Sequence, residues 1–141
     1  MRSLLFCISF TAGLLLAPSM LFAAELEAID RAFEQCLKKD STTSTQVDCG
    51  YKYSESLDAE LNRTYKLLLA KLGEKERKAL QSAQKAWLLF RDTEFSSIDA
   101  LYYENLHGTM YNPLRISDRA EVVRGRVTQL RLRLSALSSA N

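Results

Sequence analysis

The stretch Ile116–Leu137, ISDRAEVVRGRVTQLRLRLSAL, decides the fold class. Within it Ile116, Ala120, Val123, Val127, Leu130, Leu134 and Leu137 recur at alternating steps of four and three residues. That spacing lines one side of an α-helix and cannot line one face of a strand, whose side chains repeat every second residue. It predicts a helix over roughly Ser117 to Leu137, capped by Ser117 or Asp118, with a heptad seam. The seam fits a neighbouring helix of the same chain or a second copy equally well.

Three earlier segments carry the same periodicity. The first, near residues 25–38, presents Leu26, Ile29, Phe33 and Leu37, with acids crowding its start as the helix dipole prefers. The second begins near Thr45, with Asp48 three residues on in a capping-box-like arrangement. It carries Leu57, Leu61, Tyr65, Leu68 and Leu72 on one side, and Gly73 is expected at its C-terminal stop. The third opens at Glu74, runs past Ile98 and Leu101, and ends before Asn105-Leu-His-Gly-Thr-Met-Tyr-Asn-Pro113, where Gly108 and Asn112-Pro113 are turn signals. No segment alternates with period two. The expected architecture is an all-α antiparallel bundle of about four helices in one domain.

Residues 1–24 stand apart from that domain. Arg2, the apolar run Leu4–Leu16 and the segment ending at Ala24 have the three-part form of a signal peptide. Leu4-Leu-Phe-Cys7 lacks the small residues of a lipobox before the cysteine, so residues 25–141 are expected in the periplasm or secreted, without a stable membrane anchor. The expected domain then keeps two cysteines, Cys36 and Cys49. In an exported protein such a pair reads as a disulfide near the N-terminus. The rival, a metal or redox pair, lacks a CxxC spacing and a nearby histidine.

Charge narrows the function classes. The full chain has 19 basic against 17 acidic residues. Without Arg2 the balance is 18 against 17, a net +1, too weak a field for nucleic acid as the partner. The distribution is uneven: residues 25–62 hold nine acids against four bases, and residues 113–141 hold six arginines against two acids. That asymmetry suits solvated helix faces or the steering of a charged partner.

Catalysis is hard to assemble from this residue set. His107 is the only histidine, and no Gly-rich phosphate loop exists. Asp92 and Glu94, two apart on a helix, point to different sides. No catalytic residue, metal or cofactor is expected, and the chain reads as a binding protein and not as an enzyme.

The third segment contains LQSAQKAWLLFRDTE, Leu80–Glu94, with the single tryptophan. Leu80, Ala83, Trp87, Phe90 and Glu94 share one face, with Gln84 and Arg91 at its edge. An apolar stripe ending in a carboxylate needs polar company. Asp58, Asn62 and Tyr65 flank Leu61 on the second segment and could supply it. The expected pairs are Asp58 or Glu94 with Arg91 and Asn62 with Gln84, and Trp87 could stack on Arg91. The alternative is a partly exposed recognition patch, since Trp, Tyr and Arg are enriched at binding hot spots.

The order Cys36, Cys49, Asp58-x-x-Leu61-Asn62-x-x-Tyr65, then Gln84-x-x-Trp87-x-x-x-Arg91-Asp92-x-Glu94 resembles the LprI-like lysozyme inhibitor family. The resemblance covers nearly all of residues 25–141. It implies a small exported helical domain whose partner is a protein, with a lysozyme or other muramidase as the implied class. Members of that family usually carry a second cysteine pair beginning where this chain has Phe95. Here Ile116 or a neighbour stands for its partner, so an apolar contact is expected in place of the bridge. To block a cleft holding two catalytic carboxylates, a projecting loop with donors would serve. Residues 105–113, with His107, Tyr111 and Asn112, are the first candidate, and the Ser/Thr run 41–45 is the second. The alternative is an accessory or immunity-type protein that binds another exported protein and leaves lysozyme untouched.

Overall fold

The computed structural model describes residues 18–106 and 108–139. Most of the expected signal peptide (residues 1–17) and His107 therefore lie outside the described residues. Four helices follow one another: α1 (Pro18–Leu37), α2 (Thr43–Lys71), α3 (Glu74–Ala100) and α4 (Asn112–Ser139). A wide π-helical turn, Leu101–Asn105, extends α3, and a 3-10 turn, Thr109–Tyr111, leads into α4. Among the described residues there is no strand, so the expected all-α bundle is the observed one.

The helix 4 seam is an intramolecular one. Ile116, Ala120, Val123, Val127, Leu130 and Leu134 are buried. All of these but Ile116, which packs beside Gly50, share one cluster with Tyr53, Leu57, Leu61 and Leu68 of α2, and Leu80 of α3 joins it. α1 closes the bundle with half-buried Leu26, Ile29 and Phe33, and the Phe33 ring stacks on Tyr53 at 4.5 Å between centroids. α4 is the hub, packed against α1, α2 and α3. The Cys36–Cys49 disulfide ties the end of α1 to the start of α2, with the Cα atoms 5.8 Å apart.

α1 starts at Pro18 and not near residue 25, and three further helix boundaries differ from expectation, each for a local reason. α2 starts before Thr45 because Thr42 caps it, its hydroxyl oxygen accepting from the Thr45 backbone N–H. Asp40 holds that turn, accepting from both the Thr42 and the Thr45 hydroxyls at 2.7 and 2.9 Å. Gly73 is not a left-handed stop. It sits in extended backbone as the residue before α3, and the last carbonyls of α2, on Leu69 and Leu72, accept from the Arg77 guanidinium instead. α4 begins at Asn112 and not near Ser117, because Pro113 falls in the first turn, where a missing N–H costs nothing and the fixed φ suits a helix.

Buried polar residues run through the α2–α4 contact. Glu60 is 4% exposed. It accepts from Arg131 Nη2 and Nε at 2.6 and 2.9 Å, from Arg63 at 2.7 and 3.1 Å and from the Thr64 hydroxyl. Burial pushes the Glu60 carboxyl up, but the hydrogen bonds from Arg63, Thr64 and Arg131 outweigh it and hold it below its usual value. Asp30 on α1 is held low chiefly by Arg124 of α4, which donates at 2.6 and 3.2 Å.

Removing the carboxylate strands the buried Arg131 guanidinium, so Glu60→Gln is expected to cost about 3–5 kcal/mol in urea unfolding. Both carboxylates are depressed in the folded state. Their contribution is therefore fully present above the unfolded carboxylate range, near about pH 4, and is lost as pH falls through the folded values. The urea midpoint should fall steeply in acid, and less steeply in Glu60→Gln. Reduction of Cys36–Cys49, which closes a 13-residue separation, should cost about 3 kcal/mol in the same assay.

Candidate functional site

The residues singled out on α2 and α3 do not form one network. Leu61 is in the core and Tyr65 is packed half-buried against it. Asn62 is exposed and donates to the Asp58 carbonyl one turn back, at 2.9 Å, so it does not reach Gln84. Gln84 is buried and faces α4, where its oxygen accepts from Arg126 Nε and Nη2 at 3.1 and 3.0 Å. Arg91 donates to its neighbour Asp92 at 2.7 and 2.9 Å, and makes no hydrogen bond to Asp58 or Glu94. Glu94 is half-buried. The expected stacking is present: Arg91 lies 5.7 Å from the Trp87 ring centre, and Arg126 lies over the same ring at 5.7 Å.

The physical reason for the missing pairs is the orientation of α3. It packs on α4 far more than on α2, and turns Leu80, Gln84, Trp87, Arg91, Phe95 and Ile98 inward. Ala83 and Phe90, expected on the inner face, are exposed.

One end of the bundle brings together two of the residues singled out on α2 and α3, Asp58 and Phe95. A half-enclosed pocket of about 220 Å³ lies where the start of α2, the end of α3 and the start of α4 meet. Tyr51, Asp58, Phe95, Arg115, Ile116 and Arg119 are among its walls. Phe95 and Ile116, the positions at which an apolar contact was expected in place of the family's second bridge, both line this pocket. Gly50 belongs to the same packing: a Cβ there would lie 2.8 Å from Ile116 Cγ2.

The electrostatics of the pocket are balanced by pairs. Arg115, 8% exposed, donates to Asp99 at 2.9 Å, and its Nε has no acceptor. Arg119 reaches the same carboxylate only at 3.3–3.4 Å and covers the Phe95 ring at 4.2 Å. Tyr103 stacks on Arg115 at 4.9 Å. Asp58 is exposed at the pocket's edge, yet the surrounding protein raises its carboxyl above the usual range, against a smaller pull from Arg91.

The two expected loops are less open than the sequence suggests. In the segment 105–113, Asn105 ends the π-helical turn, Thr109–Tyr111 form the 3-10 turn, and Asn112 and Pro113 begin α4. Tyr111 and Asn112 are half-buried there, and Gly108, at φ 123°, supplies the left-handed bend. The hydroxyls of Thr42 and Thr45 are engaged with Asp40, and the Ser41 carbonyl accepts from Gln46.

Sequence reasoning missed Glu60, Arg115, Arg119, Arg126 and Arg131. Glu60 and Thr64 stand four apart between Leu57 and Leu68, and the arginines of α4 flank seam positions. A charged residue inside an apolar stripe was the available signal.

Among the described residues no group of His, Cys, Asp and Glu could hold a metal ion, and no helix is long and apolar enough to cross a membrane. The fold and the pocket define a disulfide-stapled helical domain whose polar surface groups suit binding. A family model described as Lysozyme inhibitor LprI matches residues 36–130, and the chain belongs to that family. It is an inhibitor family, which gives the chain a protein-binding role of the lysozyme-inhibitor kind. No curated protein and no solved structure matches the chain.

Two substitutions check this geometry. A raised carboxyl destabilises the folded state once pH exceeds its unfolded value. Asp58→Asn should therefore raise the melting temperature at neutral pH, with the gain fading in acid where both forms are uncharged. Gly50→Ala should cost about 1–3 kcal/mol through overpacking, because the β-branched Ile116 has little rotamer freedom in a helix.

Proposed function

We propose that the chain is exported, with residues 1–24 removed as a signal peptide, and that it inhibits a lysozyme-type muramidase by covering its cleft with the pocket end of the bundle. The observation that carries this reading is the arginine–tyrosine face around the pocket, in a member of a lysozyme-inhibitor family. Tyr51 and Tyr103 are 52% and 59% exposed, and Met110 and Leu114 lie exposed nearby in sequence to Arg115. Aromatic and arginine side chains dominate binding hot spots because they offer large rigid area with a polar end. A muramidase cleft presents two catalytic carboxylates, and Arg119, loosely held by Asp99, has donors to offer them. Tyr111, the last residue of the 3-10 turn, and Asn112, the first of α4, are the part of the 105–113 segment that serves this reading. No cofactor is required. Binding alone occludes the cleft.

Cell-wall lysis by lysozymes of several types, followed with the purified protein at micromolar excess, tests the reading. At least one enzyme should be slowed. In that assay Arg119→Ala and Tyr103→Ala should each weaken inhibition by about tenfold, while Lys66→Ala, exposed on α2, should not. No slowing of any lysozyme would overturn the reading, and inhibition untouched by both pocket-end variants would remove the docking face. Mass determination of the exported protein should show a chain beginning near Glu25.

A further inference from the structure

α3 has an outer face as well as an inner one. Opposite the residues that meet α4, Ala79, Ser82, Ala86, Leu89, Thr93 and Ser96 recur at alternating steps of three and four, and all are exposed. Leu89 is 71% exposed and the adjacent Phe90 53%. Two large apolar side chains at the middle of a 27-residue helix are an unusual thing to leave in water.

The charges beside this face show what fits it. Lys78, Lys85, Asp92 and Asp99 run along one border at seven-residue intervals, basic in the first half and acidic in the second. Laid antiparallel against itself, the helix can set Ala86 opposite Leu89, Ser82 opposite Thr93 and Ala79 opposite Ser96. In that register the border residues that face each other are Lys85 with Asp92 and Lys78 with Asp99, each pair occurring twice by symmetry. Phe90, on the other border, faces the exposed Ala83 of the second copy, a contact that also occurs twice by symmetry. A parallel arrangement would bring basic halves together.

We propose that the protein forms an antiparallel homodimer through α3, with Leu89 and Phe90 at its centre and Lys85–Asp92 pairs across it. Asp92 is exposed and bound only by its neighbour Arg91, so it can accept a second donor. Lys78 and Asp99 already have partners in Glu74 and in Arg115 and Arg119, which leaves Lys85–Asp92 as the discriminating pair. Phe95 and the pocket lie on the inner side of α3, so the dimer leaves two pockets open. This inference does not depend on which protein the pocket end binds.

Sedimentation equilibrium of the full exported chain over about 1–100 µM reads the association directly. The mass should be that of two chains at the upper end. Lys85→Asp and Asp92→Lys should each raise the dissociation constant by about tenfold or more, since each creates two like-charge contacts. The two reversals together should restore the parent value, and Leu89→Glu should give monomer. Circular dichroism on each variant shows that helix content is unchanged, so that a lost dimer is not a lost fold. A monomer at 100 µM, a dimer indifferent to the single reversals, or a double reversal that fails to recover would each overturn the proposal.

Discussion

Everything in this bundle is arranged around one buried carboxylate. Glu60 on α2 and Arg131 on α4 stand 71 residues apart and meet at 2.6 Å with almost no exposure. Taking both charges out of water costs several kcal/mol per ion, and their attraction recovers that only in good geometry. The pair is therefore a weak source of net stability and a strong source of register. Were α4 to slide one turn along α2, Leu57, Leu61 and Leu68 would still find leucines and valines to pack on. Glu60 would keep Arg63 from its own helix and lose Arg131, whose guanidinium already has one buried nitrogen without a partner. The apolar seam makes the helices pair, and the ion pair fixes where.

The same constraint explains what the sequence revealed and what it hid. Periodicity carries apolar contacts well, because each helix must bury one stripe whatever its partner is. The α4 seam, the α2 stripe and the Cys36–Cys49 bridge were all legible for that reason. Polar contacts are relational. Glu60 interrupts the stripe between Leu57 and Leu61, and its meaning depends on Arg131 in a helix whose placement periodicity does not give. Helix starts were hidden by local competition: Thr42 and Thr45 are both capping residues, and Asp40, hydrogen-bonded to both hydroxyls, decides for Thr42. The candidate site was legible in part. Asp58 and Phe95 line the pocket, but its cations, Arg115 and Arg119, come from α4 and carry no local signature.

The uneven charge of the sequence has an internal use. Acids of the first half are matched to arginines of the last helix, Asp30 to Arg124 and Glu60 to Arg131. A further pair links Asp99 with Arg115 and Arg119. What resembled a field for steering a partner is largely consumed in orienting α4 against three other helices. Net charge is therefore a poor guide to the surface of this bundle, because most arginines of α4 are engaged in contacts within it.

The orientation of α3 shows how such matching overrides hydropathy. Rotating α3 by about one residue would bring Phe90 inward, a gain of about 2 kcal/mol in apolar burial. It would also carry Gln84 away from Arg126, which is 5% exposed and receives no carboxylate. Arg126 would keep only Gln129 of its own helix, at 3.1 Å, and losing both buried hydrogen bonds to Gln84 costs more than the phenyl ring gains. Trp87 adds to the same side of the balance, since it lies between Arg126 and Arg91 only in the observed orientation. Phe90 is outside because Gln84 must be inside. The exposed face of α3, with whatever it associates, is thus set by a single amide oxygen on the opposite side of the helix.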